Sequence, residues 1–411
     1  MEHYLDNAAT TAVLPCAREA AIAAMDNFGN PGSLHARGTA ARKVLDDSRK
    51  KVAAALSVKP ACVTFTSGGS ESTNTALRGA VHKNKHLGKH IVSTQIEHDA
   101  TLNTLKALQS QGYEVTLVAP EMDGSVSIDA IRAALRPDTA VVSLMAVCNE
   151  TGAVLPLREA KAAMQQICPK ALFHVDAVQA FCKIDLPMDI IDLMSLSAHK
   201  LGGLKGSGAL YVREGLHLQP LIYGGNQESG LRSGTEAMPQ IAAFAAATEA
   251  RMANFKEHTA KMAALRDKLM EKARELGCQI NTPANCAPHI VNLSPCVGRS
   301  EVYIRVLSDQ GIYVSGGSAC SRGKKSHVLT AMRVSGKNAD AALRVSLCPE
   351  STEEDVDAFL AALSAAKKMF CPIPFCHSEC SEESPIQGGD PSTPLCFAQD
   401  DIQFVKVVYP L

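Results

Sequence analysis

The chain has little that would hold nucleic acid or a membrane. It contains no tryptophan, and aromatic residues make up 4% of its 411 residues, which argues against platforms on which bases stack. Lysine and arginine total 41 against 42 acidic residues, so no overall positive field attracts phosphate backbones or anionic lipids. We therefore expect no direct nucleic-acid partner and no membrane partner.

Targeting signals are also missing. The first residues, MEHYLDNAATT, contain neither a basic region nor an apolar run typical of a secretory signal, and no stretch approaches the about 20 apolar residues of a membrane span. Fourteen cysteines are too few for a disulfide scaffold in a chain of this length. Together these absences predict a cytoplasmic protein with reduced thiols.

What is present is an alternation of short apolar runs with helical patterns, which predicts an α/β fold with a mostly parallel sheet. Globular composition and length predict more than one domain. We assign 13–255 to a large domain. Seven strands are predicted in it, at 63–66, 91–94, 114–118, 140–147, 172–178, 193–197 and 209–212. Helices are predicted at 39–56, 99–111 and 157–167.

The remainder divides into a smaller unit and a tail. A helix-rich stretch over 237–276 ends near Gly277, and strands are predicted at 289–293, 312–315 and 342–347, with a helix at 353–368. Residues 1–12 and 256–370 are assigned to a smaller α+β domain. Residues 371–411 are rich in Pro, Ser, Gly and Cys, a composition typical of a disordered tail. The cysteines and histidine of this tail match no closed zinc pattern, and we predict no metal site.

Two segments carry candidate chemistry at predicted strand ends. In SAHKLGGLKGSGALYV, Lys200 follows an apolar strand and is placed to form a Schiff base with an aldehyde cofactor, although a lone lysine more often caps a strand. In FTSGGSES, a turn of small residues precedes a helix start, which is an anion site or simply an ordinary helix cap.

Three further strand ends bear polar side chains. Asp176 ends a buried strand, where it can pair with a pyridinium nitrogen or, equally, with a backbone amide or an arginine. Gln179 follows it and can bond a phenolic oxygen. His98 can stack on a flat ring or simply begin a helix, and Asn149 supplies an amide. The convergence of these groups at one sheet edge favours a cofactor site.

With these motifs the chain resembles the cysteine desulfurases of the class V aminotransferase family, which depend on pyridoxal 5′-phosphate. The resemblance covers the chain from its start to about residue 368 and rests on LDNAATT, FGNPGSLH, FTSGGSES, EHDA, NETG, HVDAVQ, SAHKLGGLKGSGALYV, GLRSGT and GGSACS. It implies the type I fold of pyridoxal-phosphate-dependent transferases, with a large domain built on a mostly parallel seven-stranded sheet and a smaller α+β domain.

The resemblance also implies roles for individual residues. Lys200 would form the Schiff base, Asp176 would pair with the pyridine nitrogen, and His98 would stack on the ring. The remaining cofactor contacts would come from Asn149 and Gln179, and phosphate contacts from Gly69, Ser70, Ser197, His199 and, in the neighbouring subunit of a homodimer, Thr235. The substrate carboxylate would be bound by Arg344, with Asn149 also at the substrate.

Cys320 is the residue that would distinguish a desulfurase. It lies in VSGGSACSRGKKSHVL with three cations just behind it, which favours the thiolate, although composition alone fits an incidental thiol equally well. The resemblance implies that Cys320 is the nucleophile. The stretch from Cys320 to His327 is shorter than in the housekeeping iron–sulfur members of the family, which predicts a shorter reach.

The implied reaction converts L-cysteine to L-alanine and leaves a persulfide on Cys320, with Lys200 and His98 as proton carriers. The sulfur would pass to an acceptor protein of iron–sulfur cluster assembly or of tRNA thiolation. The alternatives are a selenocysteine lyase, another class V pyridoxal-phosphate enzyme such as a transaminase, or an inactive scaffold in a sulfur relay.

Overall fold

The structure is a computed structural model, and it describes residues 2–316 and 325–370. Its strands, numbered in chain order, are β1 His3–Tyr4, β2 Val63–Thr66, β3 His90–Thr94, β4 Glu114–Val118, β5 Thr139–Met145, β6 Leu172–Asp176, β7 Leu193–Ser197, β8 Gly208–Val212, β9 Gln279–Ile280, β10 Ile290–Ser294, β11 Ile312–Tyr313, β12 Ser315–Gly316 and β13 Leu343–Ser346. The helices are α1 Pro15–Asp26, α2 Ala36–Ala55, α3 Gly69–Lys83, α4 Asp99–Gln109, α5 Ile128–Ala134, α6 Leu157–Ile167, α7 Met238–Ala253, α8 Phe255–Glu275, α9 Ser300–Ser308, α10 His327–Ala331, α11 Gly336–Asp340 and α12 Glu353–Lys368. Short 3-10 helices lie at Pro60–Cys62, Ala198–Lys200 and Gln227–Gly230.

The central sheet has seven strands in the order β2-β8-β7-β6-β5-β3-β4. Neighbouring pairs from β7 through β4 are parallel, whereas β8 runs antiparallel to both β2 and β7. The fold is therefore α/β with a mostly parallel seven-stranded sheet, and this prediction is confirmed.

Burial along the strands explains why the apolar runs form this sheet. Every residue of β3, β5, β6 and β7 is buried, as expected for parallel strands covered by helices on both faces. Strand β4 lies at the edge and exposes Glu114 and Leu117, so its burial is only partial. A charged residue on an edge strand also discourages pairing with another chain.

The carboxyl ends of β2, β3, β5, β6 and β7 lie on one side of the sheet, because β2 is antiparallel to β8 and β8 is antiparallel to β7. The loops that leave these ends therefore converge, and this is where open α/β sheets bind ligands.

A second hydrophobic core is built around a four-stranded antiparallel sheet, β12-β13-β10-β9. It combines residues of this sheet with side chains of α8, α9 and α12, and with Leu5 near the start of the chain. Strand β1 pairs in parallel with β11 and so ties the N-terminal segment to this core. The described residues belong to one compact unit, and the predicted domain boundaries stay predictions.

The predicted boundaries agree with the structure to different degrees, and the end of β6 was wrong for an identifiable reason. The helix-rich stretch predicted at 237–276 is present as two helices, α7 and α8, because Asn254 between them has non-helical φ −123° and ψ 34°. Strand β6 ends at Asp176 instead of residue 178, because the Asp176 carboxylate accepts a hydrogen bond from Val178 N and closes a turn. Gly277 follows the end of α8 with φ +69°, as a helix stop requires. The predicted tail, 371–411, lies outside the described residues.

Candidate active site

A cavity of roughly 360 Å³ opens at the carboxyl ends of the central strands. It is lined by most of the residues that the sequence singled out, together with several that it did not. The lining side chains and backbone belong to Ala8, Ala9, Gly69, Ser70, His98, Asp99, Ala100, Met145, Val147, Asn149, Glu150, Asp176, Val178, Gln179, Ser197, His199, Lys200, His327 and Arg344.

Lys200 ends the short 3-10 helix that follows β7, so its amine extends from the sheet edge into the cavity. Its Nζ donates hydrogen bonds to the carbonyl of Ala8 at 2.7 Å and to that of Ala9 at 2.8 Å. The LDNAATT segment thus contributes backbone oxygens that orient the lysine.

Asp176 is the last residue of β6 and is 6% exposed. Burial raises the pKa of its carboxyl, and the nearby His98, the hydrogen bond from Val178 N and Lys200 act in the opposite direction. A cationic ring nitrogen at this carboxylate would favour its charged form. The two sequence interpretations are compatible, because one carboxylate oxygen accepts from a backbone amide while the side chain lines the cavity.

His98 both caps α4 and lines the cavity. Its Nδ1 accepts a hydrogen bond from Ala100 N at 3.1 Å, so in the neutral ring the proton resides on Nε2. The helix cap therefore fixes both the tautomer and the orientation of the ring.

The cavity lining also includes the donors of an anion site. Helix α3 begins at Gly69, and Gly69, Ser70, Ser197 and His199 all line the cavity, so the amides at the start of the helix can act together with these side chains. A Cβ on Gly69 would lie 2.7 Å from Val178 Cγ2, so the close approach of this turn to the β6 loop requires glycine. Burial lowers the pKa of His199 to about 4, with cations at Lys200, Lys205 and Lys183 adding to the shift, so the ring is neutral near pH 7.

Arg344 on β13 is 1% exposed and reaches the cavity from the small antiparallel sheet. Its Nη1 donates to the carbonyl of Asn149 at 2.9 Å and its Nη2 to Asp6 Oδ1 at 2.9 Å. Within residues 2–316 and 325–370, Arg344 Nε has no hydrogen-bond partner although it is buried. A carboxylate ligand would satisfy this donor.

Gln179 is 4% exposed and donates from Nε2 to the carbonyl of Ala8 at 2.8 Å, the same oxygen that accepts from Lys200. Its Oε1 lies 3.5 Å from Lys183 Nζ and 3.4 Å from His289 Nε2. Both the nitrogen and the oxygen of the Gln179 amide therefore have hydrogen-bond partners.

Several titratable residues at or beside the cavity were not predicted from the sequence. Asp99, Glu150 and His327 line it, Glu97 is buried beside it, and Lys183 lies behind Gln179. Burial raises the pKa of Glu97 to about 8 and that of Glu150 to about 7. Their position in the sequence could have indicated them. Glu97 and Glu150 lie inside the motifs EHDA and NETG, which were already assigned to the site, and a charged residue in such a motif is a candidate for a role there.

Two predicted site residues are not placed at this cavity. Thr235 is exposed and does not line the cavity of its own chain, so its role toward a neighbouring subunit stays a prediction. Cys320 lies outside the described residues.

The residues present fit pyridoxal phosphate. The cavity brings together the amine of Lys200, the buried carboxylate of Asp176, the imidazole of His98 in a fixed orientation and the amide of Gln179. It also contains the N-terminus of α3, with hydroxyl donors beside it. The Gly69 turn leaves no space for a side chain and allows the backbone amides to approach a phosphate closely.

Residues 3–359 match the aminotransferase class-V family. The chain belongs to this family. It is 39% identical over 366 residues to a protein named cysteine desulfurase IscS from Methanosarcina thermophila, covering 87% of this chain and 90% of that protein. A solved structure named NifS-like protein superposes with a TM-score of 0.85 at 36% identity, covering 90% of this chain and all of that one. A structure described as SspA in complex with cysteine gives a TM-score of 0.74 at 33% identity, covering 86% of this chain and all of that one.

These relationships confirm the resemblance, the fold class and the dependence on pyridoxal 5′-phosphate that the sequence predicted. They also place the chain among enzymes of the cysteine desulfurase group. Across the part of the chain that the structure describes, no helix is both long and apolar enough to cross a membrane.

Proposed function

We propose that this chain converts L-cysteine to L-alanine and receives the sulfur on Cys320 as a persulfide. The thiolate of Cys320 attacks the sulfur of the substrate, the substrate C–S bond breaks, and a proton completes the methyl group of alanine. Thiol and cysteine give persulfide and alanine, so the step is balanced without an oxidant. The observation that carries this proposal is the grouping of Lys200, Asp176, His98 and Arg344 around one cavity in a chain related to cysteine desulfurases.

Arg344 binds the substrate carboxylate in this proposal. It is buried, and its Nε is an unsatisfied donor among the residues described. Asp6 and the carbonyl of Asn149 hold the other side of the guanidinium in place. Because the fork is oriented before substrate arrives, little side-chain entropy is lost on binding.

Pyridoxal phosphate, when bound, supplies an aldehyde for the substrate amine and a ring that withdraws electrons from Cα. Gly69, Ser70, Ser197 and His199 would bind its phosphate, Asp176 its ring nitrogen, and Gln179 its phenolic oxygen, while Asn149 would add a further contact. His98 would cover the ring face.

Lys200 and His98 are the proton carriers in this proposal. Lys200 Nζ is oriented by the carbonyls of Ala8 and Ala9, and it accepts or donates a proton at the amine. His98 carries its proton on Nε2, because Nδ1 is occupied by the amide of Ala100. The pair therefore offers one base and one acid in the same cavity.

The wider assignments are part of the same proposal. We propose a homodimer, supported by exposed apolar side chains in two segments, at Ile22, Met25, Phe28 and Leu34 and at Leu221, Ile222 and Tyr223. Thr235 would then contact the phosphate in the neighbouring subunit. The persulfide would pass to a protein acceptor of iron–sulfur cluster assembly or tRNA thiolation.

We also propose a cytoplasmic location for the protein. Nine free thiols among the described residues support it, because reduced cysteines are typical of that compartment.

The test is to incubate the purified enzyme with L-cysteine, quantify alanine, and locate the added sulfur by mass spectrometry. Wild-type protein should form alanine and gain one sulfur (about 32 Da) on Cys320. The Cys320→Ala variant should keep the visible absorbance of the cofactor but release no sulfide under dithiothreitol. Alanine and sulfide formation by Cys320→Ala at the wild-type rate would contradict the role of this thiol. A parallel assay with L-selenocysteine separates desulfurase from selenocysteine lyase activity.

A further inference from the structure

Lys183 is a buried amine that the proposed chemistry does not use. It lies in the turn region that follows β6 and is 7% exposed. In the described part of the chain no carboxylate is among the groups that act on its charge; those groups are the cations Lys200 and Arg251 and the thiols of Cys182 and Cys348. Burying an amine without an opposite charge costs free energy, so the hydrogen bonds that this lysine makes are informative.

The amine is connected to the cavity through a short chain of hydrogen bonds. Lys183 Nζ donates to Gln179 Oε1 at 3.5 Å, and Gln179 Nε2 donates to the carbonyl of Ala8 at 2.8 Å. The same carbonyl accepts from Lys200 Nζ at 2.7 Å. Lys183 and Lys200 are thus linked through one side-chain amide and one backbone oxygen.

His289 completes the arrangement around Gln179. It is buried, and burial together with Lys183, Arg344 and Arg266 holds its pKa well below the usual range, so the ring is neutral. Its Nε2 lies 3.4 Å from Gln179 Oε1. Because Lys183 and His289 both donate to Oε1 of Gln179, the Nε2 of this amide faces Ala8 and the cavity.

The titratable groups around Lys183 come from several elements. Burial, together with the nearby cations Lys200 and Arg251, lowers the pKa of Lys183 to about 7, whereas the thiols of Cys182 and Cys348 act in the opposite direction. Lys183 is therefore mostly protonated below about pH 7 and mostly neutral above it.

We propose that Lys183 is a positioning residue of this site, which orients the Gln179 amide toward the cofactor and, when protonated, places a positive charge behind Lys200. The inference rests on the proposed cofactor site and adds to it a residue that touches neither the cofactor nor the substrate. A second amine near Lys200 disfavours a proton on the nitrogen that Lys200 supplies, because like charges repel.

The test uses the holoenzyme and three substitutions, Lys183→Met, Lys183→Gln and Lys183→Arg. The visible absorbance of bound pyridoxal phosphate reports protonation of the nitrogen supplied by Lys200, and it is titrated between pH 6 and pH 9. K183M and K183Q remove the charge of Lys183. The apparent pKa of the nitrogen supplied by Lys200, read from this absorbance band, should therefore rise by roughly 0.5 unit or more. K183R keeps the charge and should not raise it.

Cofactor affinity provides the second readout. K183M also removes the donor to Gln179 Oε1, so we expect its dissociation constant for pyridoxal phosphate to rise about threefold to tenfold. The matched control is Lys272→Met on α8, where an exposed lysine pairs with Glu275; it removes the same charge and should change neither readout.

An unshifted band in K183M and K183Q, or an equal rise in K183R, would overturn the inference. If K183M does not fold, the effect of removing the charge is judged from K183Q alone, by whether the apparent pKa read from its absorbance band rises. A wild-type protein that showed no absorbance band with pyridoxal phosphate would overturn the proposed function as well, so the two failures are distinguishable.

Discussion

Arg344 Nη2 donates to Asp6 Oδ1 at 2.9 Å, joining a strand of the small sheet to the LDNAATT segment next to the cavity. The guanidinium is almost wholly buried and the carboxylate is 20% exposed, so the pair is only partly screened by water. The same LDNAATT segment offers the carbonyls of Ala8 and Ala9 to Lys200. The LDNAATT segment therefore positions both Arg344, the proposed binder of the substrate carboxylate, and Lys200, the proposed Schiff-base lysine.

Replacing Arg344 by lysine should raise KM for L-cysteine by about tenfold or more, because the fork geometry and its charge-assisted hydrogen bonds are lost. The measurement is a steady-state assay of alanine formation. Cofactor absorbance should stay at the wild-type level, since Arg344 is not among the proposed cofactor contacts. The matched variant is Asp6→Asn, whose amide oxygen can still accept from Nη2, and we expect its KM to change less than about threefold. A wild-type KM in Arg344→Lys would contradict the assignment.

Glu97 should make the folded protein less stable as the pH rises. Its carboxyl is fully buried, Oε1 accepts from Thr94 Oγ1 and Met145 N, and Oε2 has no partner among the residues the structure describes. Burial raises the pKa from 4.5 to about 8, with the charge of Asp176 also raising it. Between these values the native state holds a proton that the unfolded state releases, so stability is present at low pH and is lost as pH rises toward 8.

The variant Glu97→Gln cannot ionise and should lack this pH dependence. In urea unfolding of the holoenzyme, wild-type protein should lose about 3–5 kcal/mol more stability between pH 5 and pH 9 than Glu97→Gln does. Glu249→Gln, an exposed residue paired with Lys51, serves as the control and should follow wild type. Parallel pH curves for wild type and Glu97→Gln would show that Glu97 is ionised in the fold.

Much of the fold and most of the cavity follow from local sequence patterns. Strands such as Leu193–Ser197 are uninterrupted apolar or small-residue runs, and Lys200, Asp176 and His98 stand directly at or after strand ends. Parallel strands bring such positions to one edge, so the grouping was predictable.

What was not predictable depends on contacts between distant segments. Asp6 and Arg344 are 338 positions apart, and the sequence alone does not show that they pair. Glu97 and Glu150 looked like ordinary motif residues because their burial arises only when the elements pack. Lys183 was missed for the same reason, since its distance from Lys200 is set by the β6 and β7 loops together.

Ser326 should contribute more to stability than a usual helix cap. It accepts from Leu329 N as the cap of α10 and donates to Glu150 Oε2, a buried carboxylate whose pKa is raised to about 7. Ser326→Ala removes both interactions and leaves the carboxylate without this donor. We expect it to cost about 2–4 kcal/mol at pH 8, and less at pH 6, where Glu150 is largely protonated.

Ser335→Ala is the matched control for this effect. Ser335 caps α11 in the same way, by accepting from Asn338 N at 3.4 Å, and among the residues that the structure describes it is not bonded to a buried carboxylate. It should cost about 0.5–1 kcal/mol with no dependence on pH between 6 and 8. Equal losses for the two variants in urea unfolding would show that Glu150 adds nothing to the cap.

Two shortened chains test whether Phe370 is the last residue that contributes to the stability of the second hydrophobic core. The ring of Phe370 lies with its centroid 5.0 Å from that of Tyr303, a buried residue of α9, and its edge lies close to Gly298. A chain ending at Phe370 should keep wild-type stability and full cofactor content, because the cavity is lined by residues between Ala8 and Arg344.

A chain ending at Lys368 lacks Phe370 and should be less stable by about 1–2 kcal/mol, since a half-buried aromatic contact with Tyr303 is lost. Its cofactor content should still equal that of the full chain. Urea unfolding and cofactor absorbance of the full chain and both shortened forms provide the comparison. Loss of cofactor from the chain ending at Phe370 would show that residues 371–411 support the site, whereas equal stability of the two shortened forms would place the end of the core before Phe370.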